Sequence, residues 1–299
     1  MAFCAVWAVR TMVSYAYASL LVGADHQSRL DRQHLGHQGS SDVYLNRSIC
    51  FQRRLRELNS AFPLVVAHNY RDDDLDSHFD RTVRINVSAA KLQSLESVHL
   101  LKLQIWTLIE FERLILVDSD LYLRTLPDVL FGMPMSHPIA AVPGCGDAFN
   151  SGLIMLKPNL AVYNEMQMVI ASGASKRFHH ACTGEFMGDQ RFLNGFFGNN
   201  YTRLSKMWNS VHKYDFVEPT PAHEIENIHF TGHAKPDWHL CRHGTYTAFH
   251  SASEYQELRE YAAKLYPGAQ KNHQKYIVQS YETALAQMRN ESQGRWGSL

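Results

Sequence analysis

The chain has 299 residues, 45% of them hydrophobic and 19% charged, the proportions of an ordinary globular protein and not of a disordered or fibrous one. Its 29 basic side chains equal its 29 acidic ones, so no basic footprint points to nucleic acid as a partner. The length suffices for one large domain with a substantial core.

Five cysteines (Cys4, Cys50, Cys145, Cys182, Cys241) are scattered, odd in number and free of any CxxC pair. That usage argues against a disulfide scaffold, suits a reducing compartment and makes burial as small hydrophobes their default role. Residues 1–23 are apolar enough to suggest a signal or anchor, but Arg10 interrupts them and no basic region precedes them. A membrane helix needs about 20 consecutive apolar residues. The expectation is a leader over 1–13, no membrane span, and a buried first strand over 14–22. A cytoplasmic setting is expected. The secretory lumen is the alternative, since N-x-S/T sequons start at Asn46, Asn86, Asn200 and Asn290.

Short apolar runs at 16–22, 62–67, 114–117, 139–142 and 152–156 read as strands, and helical patterns alternate with them. This is the signature of an α/β domain, placed at 14–250. The polar stretch 25–42 reads as a loop between strand and helix. The charged stretch 71–80 reads as a solvated surface loop, because it lacks EF-hand spacing and the required glycine. Residues 94–111 are expected to form an amphipathic helix with Leu101, Ile105 and Leu108 at core spacing. The remainder, 251–299, reads as a helical appendage. Ser253 and Gln256 form a capping box there, Pro267-Gly268 makes a break, and a last helix covers 275–289.

Four segments could carry chemistry. In LILVDSDLYL (114–123) an apolar run ends in Asp118-Ser119-Asp120 and then resumes. Two carboxylates at the C-terminal end of a buried strand sit where open α/β sheets place ligands, and hard divalent cations prefer such oxygens. A plain turn is the competing reading. In DAFNSGLIMLKP (147–158), Asn150 and Ser151 precede a strand, and Gly152 allows close approach of a ligand or a tight strand entry. In GEFMGDQRFLNGFF (184–197), Asp189 reads either as a carboxylate cap of the following helix or as a site group, and Gln190 offers an amide. In IHFTGHAKPDWHL (228–240), His229, Gly232 and Lys235 combine an imidazole, a flexible turn and a cation suited to phosphate. His233, His239, His243 and Cys241 make a zinc site conceivable, without recognised ligand spacing. Walker A, GxGxxG and GxSxG patterns are absent.

In this order and spacing, over residues 14–240, the four segments resemble glycosyltransferase family 8, the retaining, nucleotide-sugar-dependent group of glycogenin and galactinol synthase. The resemblance implies a GT-A fold, a Rossmann-like mixed α/β sheet flanked by helices, with Mn2+ as cofactor and a UDP-hexose as donor. It further implies Asp118, Asp120 and His229 as metal ligands. Leu20, Leu21, Val22 and Gly23 would line the uridine. Lys102 would approach the donor, and Asn150 and Ser151 would lie on the sugar side. Asp189 and Gln190 would stand beside the reacting carbon, and Gly232 and Lys235 would close on the diphosphate. The implied acceptor is a hydroxyl of a glycan, a polyol or a protein Tyr, and a homo-oligomeric form stays open. The chain departs from the family at His26, where a Tyr is common, at Phe186, where glycogenin has an acid, and at Asp237, inserted before Trp238. Tyr214 lies near the self-modified Tyr of glycogenin in a different register. These departures motivate an alternative, a non-catalytic nucleotide-sugar-binding or scaffold protein of the same fold.

Overall fold

The computed structural model describes residues 14–22, 42–70, 75–85, 95–144, 148–178, 188–211, 227–229, 241–242 and 245–246. The expected leader, the C-terminal helical segment, nearly all of the loop 25–42, and Gly23, His26, Phe186, Tyr214, Gly232, Lys235 and Asp237 lie outside them, as do the other zinc candidates except the backbone of Cys241.

The main sheet has seven strands in the order β3-β2-β1-β4-β7-β6-β8. They are β1 (Tyr15–Leu21), β2 (Leu64–His68), β3 (Arg81–Arg84), β4 (Arg113–Val117), β6 (Ile139–Pro143), β7 (Phe149–Leu156) and β8 (Thr202–Arg203). Strands β3, β2, β1 and β4 run parallel, while β7 runs against both β4 and β6. All five expected strands are present. The edge strand β3, RTVR, is too polar to stand out in the sequence.

Central strands read as continuous apolar runs because both faces are covered. Successive side chains alternate between two cores. Ala16, Ala18, Leu114 and Leu116 face one, which also holds Trp106, Met166 and Phe192. Trp106 belongs to the 3-10 turn 101–107, Met166 to α3 (Leu160–Ala171) and Phe192 to α4 (Asp189–Phe197). Tyr17, Leu21, Ile115 and Val117 face the other, against Phe51 and Leu55 of α1 (Asp42–Glu57).

The single helix expected over 94–111 is instead a short α-helix, α2 (Leu95–Leu100), followed by a 3-10 helix over Leu101–Thr107. Only Gln104 and Thr107 of that second piece are half-exposed; the rest are buried. Their spacing of three matches 3-10 geometry, in which side chains at i and i+3 eclipse. Burial all round, not on one stripe, removes the amphipathic pattern that would support a longer α-helix.

A small three-stranded sheet, β5-β10-β9, sits beside the C-terminal end of β4. It comprises β5 (Leu121–Leu123), β9 (Ser210–Val211) and β10 (Asn227–His229). A two-stranded ribbon joins β11 (Cys241–Arg242) to β12 (Thr245–Tyr246). Cys50 on α1 is fully buried, as a small hydrophobe should be, yet it is disulfide-bonded, which its scattered neighbours in the sequence did not predict. Among the described residues no helix is long and apolar enough to cross a membrane.

Candidate functional site

The site forms where β4 leaves the main sheet. The Asp118 N–H donates to the Gly152 carbonyl at 2.9 Å, which extends the β4–β7 pairing by one residue. The chain then turns through Ser119-Asp120, with the Leu121 N–H on the Asp118 carbonyl at 3.1 Å, and re-enters as β5. The turn reading of Asp118-Ser119-Asp120 therefore holds, and it does not compete with the site reading, because the turn is what brings the two carboxylates together.

Antiparallel pairing of β10 with β5 sets His229 opposite Leu121, next to Asp120. Its Nε2 lies 3.1 Å from Asp120 Oδ1 and 3.6 Å from Asp118 Oδ2. One ligand atom from each of the three residues falls within 4.8 Å of the other two. Two carboxylates and an imidazole, with Asp120 and His229 buried, fit a divalent cation of intermediate hardness such as Mn2+. No zinc cluster from the His-rich segment appears among the described residues.

Lys102 ties this cluster to the rest of the site. It is 6% exposed, and its Nζ lies 2.6 Å from Asp118 Oδ1, 2.7 Å from Asp189 Oδ2 and 3.2 Å from the Ser151 carbonyl. An ammonium has three donors, and these partners take all three. Burial by itself pushes a lysine pKa down, but the charges of Asp118 and Asp189 outweigh it and the net shift is upward. Asp189 is the mirror case. Burial pushes its pKa up, and Lys102, with a second contact from His99 Nδ1 at 3.5 Å, holds it well below the usual carboxylate range.

Of the two readings of Asp189, the helix cap does not hold. The cap position is Gly188, with no side-chain cap bond, and Asp189 is the first helical residue, its carboxylate committed to Lys102 and His99. Gln190 Oε1 accepts from Asn150 Nδ2 at 3.0 Å and from the Ser151 N–H at 3.2 Å. Its Nε2 is left as a donor without a partner among the described residues. Gly152 earns its place differently from the ligand approach expected: a Cβ there would come within 2.0 Å of His229 Cε1, so the imidazole fills that space. Asn150, expected on the sugar side, contacts the same ring through its Oδ1.

An open cavity of about 170 Å³ connects these groups to the end of β1, with Leu20, Val22, His99, Lys102, Asp118 and Asp189 in its wall. Leu21, expected to line the same space, points the other way into the core under α1, as strand alternation requires. His99 was missed in the sequence although a signal existed, since it stands one helical turn before Lys102. Asn209, whose Nδ2 donates to Asn150 Oδ1 at 2.8 Å, carried no local signal.

Comparison with known proteins agrees with this geometry. Residues 44–241 match the family described as "Glycosyl transferase family 8". A glycogenin of Neurospora crassa is 34% identical over 143 residues, covering 45% of this chain and 19% of the relative. Glycogenin-1 of Homo sapiens is 26% identical over 228 residues, covering 66% and 60%. The chain thus spans between a fifth and three fifths of the length of these two relatives. Among solved structures, the galactosyltransferase LgtC, crystallised with donor and acceptor sugar analogues, superposes with a TM-score of 0.53 at 14% identity, over 81% of this chain and 94% of its own. The glycosyltransferase GlyE of Streptococcus pneumoniae gives a TM-score of 0.51 at 16% identity, over 74% and 56%. Both likenesses concern the fold, which is GT-A. With two thirds of its length matched and the acidic pair, the histidine and the lysine drawn into one cavity, the chain belongs to glycosyltransferase family 8.

Proposed function

We propose that the chain is a retaining hexosyltransferase that moves a hexose from a UDP-sugar to a hydroxyl of a glycan, a polyol or a protein Tyr, with Mn2+ held by Asp118, Asp120 and His229. The observation that carries this reading is the Lys102 bridge. One buried ammonium joins an acid of the metal cluster to Asp189, so the groups for the leaving diphosphate and for the sugar form one rigid unit. A divalent cation bound at the cluster would supply Lewis-acid stabilisation of the departing diphosphate.

The chain's own residues account for the rest. Leu20, Val22 and Gly23 are assigned to the base. Gly232 and Lys235 are assigned to the diphosphate, where a cation stabilises charge that grows in the transition state. Asp189, kept ionised, is assigned to the positive charge that develops at the anomeric carbon. Gln190 is assigned beside it, with Asn150 and the Ser151 N–H holding its side-chain oxygen.

For location, a cytoplasmic setting follows from the sparse cysteines. The disulfide at Cys50 favours the lumenal alternative, and the sequon asparagines Asn46 and Asn200 are both exposed. Thiol titration of the native protein, denatured without reductant, decides between them. Fewer than five free thiols supports the lumen, and all five supports the cytoplasm.

The deciding assay for the activity is UDP release from UDP-glucose and UDP-galactose, with Mn2+ or EDTA, in wild type and Asp120→Ala. Turnover that both EDTA and the substitution abolish supports the proposal. UDP and Mn2+ binding without turnover of either donor would favour the non-catalytic alternative, and absence of binding would overturn the transferase reading.

A further inference from the structure

We propose that Asn209 is a positioning residue for the metal site, fixing the tautomer and orientation of His229 through Asn150; this rests on the Mn2+ reading above. The argument starts at Asn150, which is 3% exposed. Its Oδ1 is approached by the Gly152 N–H at 2.8 Å, by Asn209 Nδ2 at 2.8 Å and by His229 Nδ1 at 3.1 Å. A backbone N–H can only donate, so this end of the amide is the oxygen. The opposite end agrees, because Asn150 Nδ2 donates to Gln190 Oε1. A carbonyl oxygen cannot donate in return, so His229 Nδ1 must carry the proton. With a cation bound, the lone pair of the neutral ring would then be on Nε2, which faces Asp118 and Asp120. That is the tautomer a metal ligand requires.

On its inner side the His229 ring meets this hydrogen bond and the backbone of Gly152. Gly152 offers bare backbone there, and the imidazole lies in the space a Cβ would fill. Asn209 holds the oxygen end of the Asn150 side chain, as Gln190 holds its nitrogen end. It is 2% exposed and immediately precedes β9, whose pairing sets His229 beside Val211, so the same strand pair carries both His229 and its indirect support. The residue is absent from the wall of the cavity. Loss of its N–H leaves the Asn150 amide held by the Gly152 N–H and Gln190 alone, which loosens the oxygen that faces His229 Nδ1.

The test uses the full chain without donor. Free Mn2+ is followed by electron paramagnetic resonance during titration of wild type and Asn209→Ala, and thermal unfolding in EDTA confirms that each is folded. Mn2+ affinity is expected to fall by up to about 10-fold, the low end of the effect of removing a direct partner of a metal-bound histidine, because Asn209 acts one contact further out. Nitrogen-15 spectra of the metal-free imidazole at mildly alkaline pH are expected to show a proton fixed on Nδ1 of His229 in wild type, whatever the state of Nε2, and a tautomer mixture that includes a bare Nδ1 in the variant. If Asn209→Ala does not fold, Asn209→Asp, of the same shape but with no side-chain N–H, carries the same expectation. Unchanged Mn2+ affinity and an unchanged tautomer in a folded variant would overturn the inference. Should wild type bind no Mn2+, the metal reading fails, and the tautomer comparison still decides the role of Asn209.

Discussion

Acids sit at both ends of β1 and β4, and their surroundings differ in kind. At the start of β1, Asp128 accepts from the Tyr17 hydroxyl, the Ser60 hydroxyl and the Ala61 N–H, all neutral donors. At the far end, the carboxylates of Asp118, Asp120 and Asp189 share one ammonium, Lys102, and two imidazoles, His99 and His229. The first network is closed: a single half-buried carboxylate is met by donors from three residues, outside the cavity wall. The second crowds three carboxylates, two of them buried, around one lysine beside the cavity, which is costly unless a further cation arrives. A lone carboxylate met by donors suits scaffolding, whereas carboxylates crowded beside an open cavity suit a cation.

The sharpest way to break this contrast is to remove Lys102. Lys102→Met leaves Asp189 buried without its counter-charge, which is expected to cost about 3–5 kcal/mol of stability. It also removes the link between the two halves of the site, so turnover should fall on the order of 10²–10³-fold. Adding Asp189→Leu to the same chain removes the orphaned charge. Denaturant titrations should then recover most of the stability while UDP release stays lost. Recovery of activity in the double variant would show that the bridge is structural, like the Asp128 network.

The opposite end should behave in the opposite way. Asp128→Ala leaves the buried Tyr17 hydroxyl without its acceptor, a loss of about 1–3 kcal/mol. Burial is the first cause of the raised Tyr17 pKa and the Asp128 contact the second, so the freed phenol stays neutral and unsatisfied instead of ionising. Turnover per folded molecule is expected to match wild type. A variant of undiminished stability that had lost activity would erase the distinction between the two ends.

The two ends also differ in how far the sequence revealed them. Asp118 and Asp120 were legible because strand, turn and carboxylates are contiguous, and the five apolar strands because burial on both faces leaves unbroken hydrophobic runs. His229 was named through family resemblance; what places it beside Asp120 is β5–β10 pairing across more than a hundred residues, which no local pattern encodes. The same cause hid Asn209 and the contacts that Gly152 and Asn150 make with His229. The long helix at 94–111 misled for another reason. Leucine and isoleucine at helical spacing are also consistent with a turn buried on every side, and tertiary packing decides between the two. Asp128 gave no signal at all, since Tyr17 and Ser60 reach it only in the folded chain.

The smallest expected effect also belongs to the closed end, and there pH serves as the probe. Asp80 accepts from Gln52 Nε2 at 2.8 Å, Arg56 at 2.9 Å and the Leu64 N–H at 3.0 Å, which staples α1 to the start of β2. Its stretch, 71–80, had been read as merely solvated. Burial pushes the Asp80 pKa up, but the hydrogen bonds from Arg56, Leu64 and Gln52, together with the Arg56 charge, more than reverse this, and the net shift is downward. A carboxyl whose folded pKa lies below its unfolded value of about 3.9 adds stability above that value and loses it as pH falls through the folded one. The side chain is 31% exposed, so water screens the pairing and the effect stays modest. Melting temperatures of wild type and Asp80→Asn should therefore differ most at neutral pH and converge below the carboxylate range. A gap that persists undiminished into acid would mean that Asp80 acts through shape alone, and that the closed end draws nothing from ionisation.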